Sequence, residues 1–182
     1  MNGARAAAML LAAWLAALTG VMAQKATPAP SKPASRVATM MFDELDRLIA
    51  LPVLTPENVA QVTGVAWTPG AETRSMAYRM LVGTGAAGRL VKTADLRVPL
   101  QGSDARGEIL VLDLAPGSGL TLADVVARVG RTNDIEIPLA GAPPTDPVYY
   151  RHRVGAALVS FGIARSKAHE VVSIVIDRTP PG

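Results

Sequence analysis

The chain contains 182 residues, of which 49% are hydrophobic and 18% are charged. This composition is too apolar for an intrinsically disordered protein, and the length suits one domain or two small ones. Cysteine is absent, which excludes disulfides and cysteine chemistry, and His152 and His169 are the only histidines that could ligate a metal. The net charge of +3 is spread along the sequence rather than clustered as phosphate binding requires. We therefore expect no cofactor, no metal and no nucleic-acid partner.

Residues 1–23 are predicted to be a secretory signal peptide. Arg5 supplies a positive charge, residues 6–18 form an uncharged apolar run, and small residues stand one and three positions before Gln24. This order of features is typical of a cleaved leader. The apolar run is shorter than the ~20 residues of a membrane span, which disfavours the alternative of a retained N-terminal anchor.

The next segment, residues 24–36, is predicted to be a flexible linker because it is rich in Pro, Ala and Ser. Closely spaced prolines prevent a helix and favour an extended, hydrated chain. With the leader removed, we expect a periplasmic or secreted protein that keeps no stable membrane anchor.

Two helices are predicted after the linker. In residues 37–50, apolar side chains recur at spacings of three and four, while charged residues cover the other face. A second helix is predicted over residues 54–64. There Thr55 is a suitable N-cap, Pro56 suits the first helical position, and Gly64 ends the helix.

The phrase that starts this second helix recurs 66 residues later with the same spacing. The two copies read Leu54-Thr55-x3-Val59-x4-Gly64 and Leu120-Thr121-x3-Val125-x4-Gly130. Two echoes in the same order indicate an internal repeat, and the second echo relates residues 107–112 to residues 169–174. The alternative is that helix-start phrases of this kind recur by chance. The repeat predicts that Val59 and Val125 occupy equivalent buried positions, that Ile109 and Val171 do the same, and that both closing glycines adopt positive φ.

Shorter apolar segments between the helices and the last strands are predicted to be strands joined by turns. They are residues 76–82, 91–100, 148–153 and 157–164. The predicted fold is α+β, with a first helix-plus-antiparallel-meander repeat over residues 37–116 and a second over residues 117–182. The helices are expected to pack on one face of the sheet and leave the other face open.

This recurring pattern resembles the β-lactamase-inhibitor-protein-like fold, which includes the outer-membrane assembly lipoproteins of the SmpA/OmlA (BamE) type. The matching residues are Leu54, Thr55, Val59, Val62 and Gly64, then Leu120, Thr121, Val125, Val129 and Gly130. The tandem arrangement is more similar to the two-repeat inhibitor than to the single-repeat lipoprotein. Over residues 37–179 the resemblance implies an inhibitor or immunity-type protein, or an accessory of envelope assembly.

Residues 83–88 form a G-x-G-x-x-G phrase, which in a dinucleotide-binding protein connects a strand to a helix. Here Pro99 would interrupt that helix, and residues 96–100 alternate with the period of a strand. The phrase is therefore predicted to be a hairpin turn.

Catalytic constellations are weak in this sequence, and we expect no enzyme. Ser118 lacks the glycine spacing of a nucleophile elbow, and His152 and His169 are interpreted as surface histidines. Paired carboxylates could serve a hydrolase, but solvated charge is the simpler interpretation. The carboxylates considered are Asp43, Glu44, Asp46, Asp134 and Glu136.

The remaining candidate is a protein-binding surface formed by Trp67, Tyr149, Arg151 and Arg153. Tyr, Trp and Arg are the residues that most often dominate protein interfaces. Residues 149, 151 and 153 share one face of a strand, and we expect some of them to be exposed together, with Trp67 nearby. The alternative is that this strand simply packs in the core.

We therefore predict an exported, non-enzymatic protein-binding module that is inhibitor-like, immunity-like or an envelope-assembly accessory. Its partner is expected to be another protein. The alternatives are a periplasmic carrier of small ligands or lipids, which would need a wide apolar cavity, and a carboxylate-based hydrolase.

Overall fold

A computed structural model describes residues 35–68, 73–165 and 169–180. The predicted signal peptide and residues 24–34 of the predicted linker lie outside the described residues. The helices are α1 (Arg36–Ala50), α2 (Pro56–Thr63) and α3 (Leu122–Val129). The strands are β1 (Val65–Trp67), β2 (Thr73–Arg74), β3 (Tyr78–Gly85), β4 (Val91–Pro99), β5 (Ile109–Leu114), β6 (Ile135–Glu136), β7 (Val148–Val154), β8 (Ala157–Ile163) and β9 (Val171–Asp177).

All these strands form one antiparallel sheet in the order β1-β3-β4-β5-β9-β8-β7-β6, with β2 paired to β3. The meander β3-β4-β5 and the meander β7-β8-β9 meet in the middle of the sheet. There β5 pairs with β9, and Leu112 lies opposite Ile174. The α+β class predicted from the sequence is confirmed.

The helix termini follow the predicted local signals. Ser35 caps α1 by accepting from the Ala38 N–H, so the last two residues of the predicted linker belong to the helix. Thr55 and Thr121 cap α2 and α3 through their hydroxyl groups. The glycines that follow these two helices both have positive φ, as predicted, with values of 72° at Gly64 and 86° at Gly130.

The hydrophobic core lies between the helices and one face of the sheet. Phe42 of α1 meets Phe161 of β8 edge to face, with ring centroids 6.4 Å apart, so α1 crosses over this strand. Val59 of α2 and Val125 of α3 are both fully buried, as predicted. The core is completed by alternate side chains of the strands: Val91, Ala94, Leu96, Leu110, Leu112, Leu114, Val159, Ile163, Val171, Ile174 and Ile176.

Helix α1 is tied to its surroundings by charged side chains. Asp46 of α1 pairs with Arg128 of α3. In the last turn of the helix, Arg178 donates to the carbonyls of Leu48 and Ile49 at 2.9 and 3.0 Å. Among the described helices, none has the length and apolar character needed to cross a membrane.

The G-x-G-x-x-G phrase forms the hairpin between β3 and β4, as predicted. Gly83 and Gly85 lie within β3, and the chain turns back through Gly88 into β4 instead of entering a helix. A Cβ atom at Gly85 would lie 1.8 Å from the carbonyl oxygen of Val91. This glycine is therefore required by the close approach of the two backbones.

The predicted equivalence of Ile109 and Val171 is wrong. Val171 is buried beneath the helices, whereas Ile109 is partly exposed and alternates with buried Leu110. The cause is a register shift in the β8–β9 pair, where Ile163 lies opposite Val171 but Gly162 lies opposite Ser173. The bulge changes the phase of β9, which the spacing of similar residues could not reveal.

Candidate protein-binding face

The sheet has a second face that points away from the three helices. In β5, Leu110 and Leu112 enter the core, so the alternating residues Ile109 and Val111 lie on the opposite side. We call this side the open face. The cross-strand register extends it from β3 through β7, and its residues are half-buried or exposed except for the buried Ser160, Gly162 and Ser173.

The centre of the open face is apolar. Val111 of β5 lies directly opposite Val175 of β9, and Ile109 lies one step along the same strand. Met80 and Val82 of β3 lie two strands from β5 on the same face, and Arg97 and Asp95 of β4 separate them from Ile109 and Val111. Val111 and Val175 are cross-strand neighbours, and such neighbours lie about 5 Å apart, close enough for their side chains to pack sideways against each other. An apolar centre with a polar surround is the composition of protein interfaces.

Polar groups with spare hydrogen-bonding capacity lie beside this apolar centre. On β4, Arg97 and Asp95 form an ion pair, with 3.4 Å between Nη2 and Oδ2. Within the described parts of the chain, three buried side-chain atoms have no hydrogen-bond partner. They are Asp95 Oδ1, Arg97 Nε and Ser173 Oγ. Buried polar atoms of this kind normally find a partner, and the exposed parts of the Asp95 and Arg97 side chains are accessible to a docking protein.

The predicted binding residues of β7 lie on this open face. Tyr149, Arg151 and Arg153 point to it, while Tyr150 and His152 point to the helix-bearing side, as predicted. The ring of Tyr149 lies against Gly162, where an added Cβ would come within 3.0 Å of the Tyr149 Cε1 atom. Tyr149 is therefore a fixed, half-exposed aromatic group.

Arg151 has intramolecular partners that sequence reasoning missed. Its Nη2 donates to Asp134 Oδ1 at 2.6 Å, and its Nη1 donates to Glu136 Oε2 at 3.3 Å. Hydrogen bonding to Asp134 raises the pKa of Arg151 above its usual value. The sequence signal for these partners was the closely spaced acidic pair Asp134 and Glu136. Only the pairing of β6 with β7 brings this pair to Arg151. Arg153 is exposed and is the more accessible arginine on this strand.

Trp67 does not lie near the β7 residues. It belongs to β1, at the opposite end of the sheet order. Its indole N–H donates to the carbonyl of Pro56 at 2.5 Å, and its ring packs over Gly83 on the helix-bearing side. The structure therefore separates the predicted set into Trp67 at one edge and the three β7 residues near the other.

Four of the five carboxylates considered for hydrolysis have an arginine partner. Asp46, Asp134 and Glu136 each pair with an arginine. Glu44, expected on a solvated helix face, is instead buried, because it packs between α1 and the β3–β4 turn beside Arg89. Burial raises the pKa of Glu44, and the positive charge of Arg89 offsets part of this effect.

Of the two histidines predicted to lie at the surface, only His169 is exposed. His152 is half-buried on the helix-bearing side and contacts Phe161 edge to face, with ring centroids 6.1 Å apart. Burial lowers the pKa of His152. The described residues contain no cluster of three or more His, Asp or Glu side chains that could hold a metal ion.

The residues between the helices and the sheet form one cluster of buried apolar side chains. Depressions at the surface of the described residues include the following two. One, of about 280 Å³, lies beside Tyr149 and Glu136, and the other, of about 440 Å³, lies beside Ile49 and Arg178.

Most residues of the open face were not identified from the sequence. The usable signal was period-two alternation, since each buried strand residue predicts that its neighbours point to the other side.

Comparison with known proteins finds no matching protein family, no similar curated protein and no similar solved structure.

Proposed function

We propose that this chain is an exported, non-enzymatic module that binds another protein through the open face of its sheet. The observation that carries the proposal is the apolar centre around Val111 and Val175, bordered by the partly exposed Asp95–Arg97 ion pair. Tyr149 and Arg153 extend this surface along β7. Tyr and Arg are the residues that contribute most to interface affinity when they surround an apolar centre.

The proposal includes an internal duplication related to the inhibitor-like fold. Each half contains a Thr-capped helix, a short edge strand and a three-stranded meander, and the two meanders meet at β5 and β9. Val59 in the first half and Val125 in the second half are both buried. This common order supports an inhibitor or immunity-type role, or a role in envelope assembly.

The same proposal places the mature protein in the periplasm or outside the cell. Its support is the leader-like pattern of residues 1–23, which predicts cleavage before Gln24. Mass spectrometry of the cellular protein tests this part. A chain beginning at Gln24 in the osmotic-shock fraction is expected, and an intact Met1 on the folded pool would contradict it.

The binding role is tested by capturing partners from periplasmic extract and measuring the affinity of the protein that is retained. Val111→Lys and Tyr149→Ala, which change the open face, are each expected to weaken that affinity about ten- to hundred-fold. Trp67→Phe, at the distant edge, serves as the matched aromatic control. Melting temperatures establish that the variants remain folded.

Two outcomes contradict the proposal. One is normal affinity in both open-face variants once the folded fraction is taken into account. The other is a purified protein that carries bound lipid and shows no specific protein partner, which would favour the carrier.

A further inference from the structure

The sheet ends at β6, and this edge carries a stripe of solvent-exposed apolar side chains. Ile135, Ile137 and Leu139 are 40%, 72% and 87% exposed. Ile135 lies opposite Tyr150, so its side chain is on the helix-bearing side of the sheet. Residues two positions apart in an extended chain share a face, so extension of β6 beyond Glu136 would place Ile137 and Leu139 on the same line as Ile135. We call these three residues the edge stripe.

The backbone of the edge stripe is oriented for pairing with a further strand. The Arg151 N–H donates to the Asp134 carbonyl at 3.0 Å, which directs the backbone groups of Asp134 and Glu136 toward β7. By alternation, the N–H and C=O groups of Ile135 and Ile137 point away from β7, out of the edge of the sheet. An exposed row of this kind is a template for another strand.

Proline residues explain why the pairing of β6 with β7 is short. They also leave intact the backbone donors that face away from β7. Continuing the observed register beyond Glu136 would place Pro138 opposite Pro147, and neither has an N–H to donate. The ladder to β7 therefore ends at Glu136. Pro138 occupies an inward-pointing position, so its missing N–H leaves the outward donors of Ile137 intact.

We propose that residues 135–139, which comprise β6 and the three residues after it, pair antiparallel with the same segment of a second copy of this chain, about a two-fold axis at Ile137. In this register Ile135 of one copy lies opposite Leu139 of the other, and the two edge stripes form one continuous apolar ladder. A cross-strand apolar ladder stabilises strand pairing and removes the exposed apolar surface from water.

Charge also favours a second copy in this register. Glu136 would face Pro138 of the second copy, and Asp134 would face Ala140, so no carboxylates oppose each other. A register centred on Glu136 would instead place two glutamates side by side, which is destabilising. Asp134 and Glu136 are also already paired with Arg151 within each copy.

The proposed assembly has a geometric consequence for binding. A two-fold axis perpendicular to the sheet leaves both open faces on the same side. The contact is small compared with stable dimer interfaces, so the pairing is expected to be reversible and concentration-dependent. This inference does not depend on the proposed function of the open face.

The absence of cysteine from the chain allows a site-specific test. In full-length protein, Ile137→Cys introduces one thiol on the proposed axis, where paired Cα atoms lie about 5.5 Å apart and within reach of a disulfide. Met76→Cys, at a 99% exposed position between β2 and β3, measures random collisions. We expect oxidative cross-linking of Ile137→Cys to be at least about ten-fold faster than that of Met76→Cys, because pairing raises the effective concentration of the thiols.

The register is tested with Ile135→Cys and Leu139→Cys. Each alone is expected to cross-link as slowly as Met76→Cys, whereas an equimolar mixture of the two is expected to form the mixed disulfide rapidly. Sedimentation of the cysteine-free chain from about 1 µM to about 1 mM is expected to show a reversible dimer that Ile137→Lys weakens at least about ten-fold. Equal cross-linking rates in all variants, or a monomer at every concentration, would overturn the proposal.

Discussion

Glu44 of α1 and Arg89 of the β3–β4 turn form an ion pair across 45 residues of sequence, with 3.2 Å between Oε1 and Nη2. The same guanidinium donates to the carbonyl of Thr63, near the end of α2. Arg89 therefore joins two helices to a hairpin. Because Glu44 is only 7% exposed, its carboxylate depends on this contact for compensation of its lost hydration.

Arg89→Met is expected to lower the free energy of unfolding by about 1–3 kcal/mol, because it leaves a buried carboxylate and a helix-terminal carbonyl without their donor. Urea denaturation measures the change. Arg128→Met is the matched control, since Arg128 pairs with Asp46 at the surface, and it is expected to cost less than about 1 kcal/mol. Equal costs for the two variants would show that the Arg89 contact has no special role.

Glu44 also predicts a dependence of stability on pH. Burial raises its pKa above 4.5 in the folded protein, so the folded state binds the proton more tightly than the unfolded state does. Its contribution to stability is therefore greatest at acidic pH and is lost as the pH rises from 4.5 through the higher folded-state pKa.

We expect Glu44→Gln to gain stability relative to the wild type as the pH rises through this window. Unfolding free energies measured from about pH 4 to pH 7 would reveal the trend. Asp46→Asn, on the same helix, controls for removal of a negative charge from α1. A difference between Glu44→Gln and the wild type that stays constant with pH would contradict the prediction.

His152 predicts a pH dependence of the opposite sign. Burial lowers its pKa below 6.5, so below that pH the unfolded state binds more protons and the folded protein loses stability. His152→Gln is expected to reduce the loss of stability on acidification from pH 6.5. His169→Asn is the control, because His169 is exposed and has a φ of 76°, which asparagine tolerates. If His152→Gln loses as much stability on acidification as the wild type does, His152 is not the cause of that loss.

Val59 and Val125 provide matched tests of the two helix contacts. Both side chains are fully buried, and Val→Ala at either position is expected to cost about 1–3 kcal/mol through lost burial and cavity formation. Val53→Ala, at a largely exposed position, is expected to change stability by less than about 0.5 kcal/mol. Thermal and urea denaturation of all three variants would check this. A negligible cost at one helix alone would show that the two helices contribute unequally to the core.

Features set by neighbouring residues were predictable from the sequence. Thr55 and Thr121 cap their helices through hydroxyl groups three residues from the amides they bind, and Gly64 and Gly130 follow with positive φ. Strand alternation likewise placed Tyr149 on the face opposite Tyr150. Each of these outcomes depends on contacts within a few residues, or on the geometry of a single strand.

Only the tertiary structure decided which charged groups are buried and which arginines have partners. Glu44 lies on a helix with a regular polar pattern, yet it is buried because Arg89 reaches it from a distant hairpin. Arg151 is likewise bound because β6 returns Asp134 to β7. The sequence by itself determined the local elements, whereas these long-range partners are set by the order of strands in the sheet, because pairing between distant segments leaves no periodic signal in the chain.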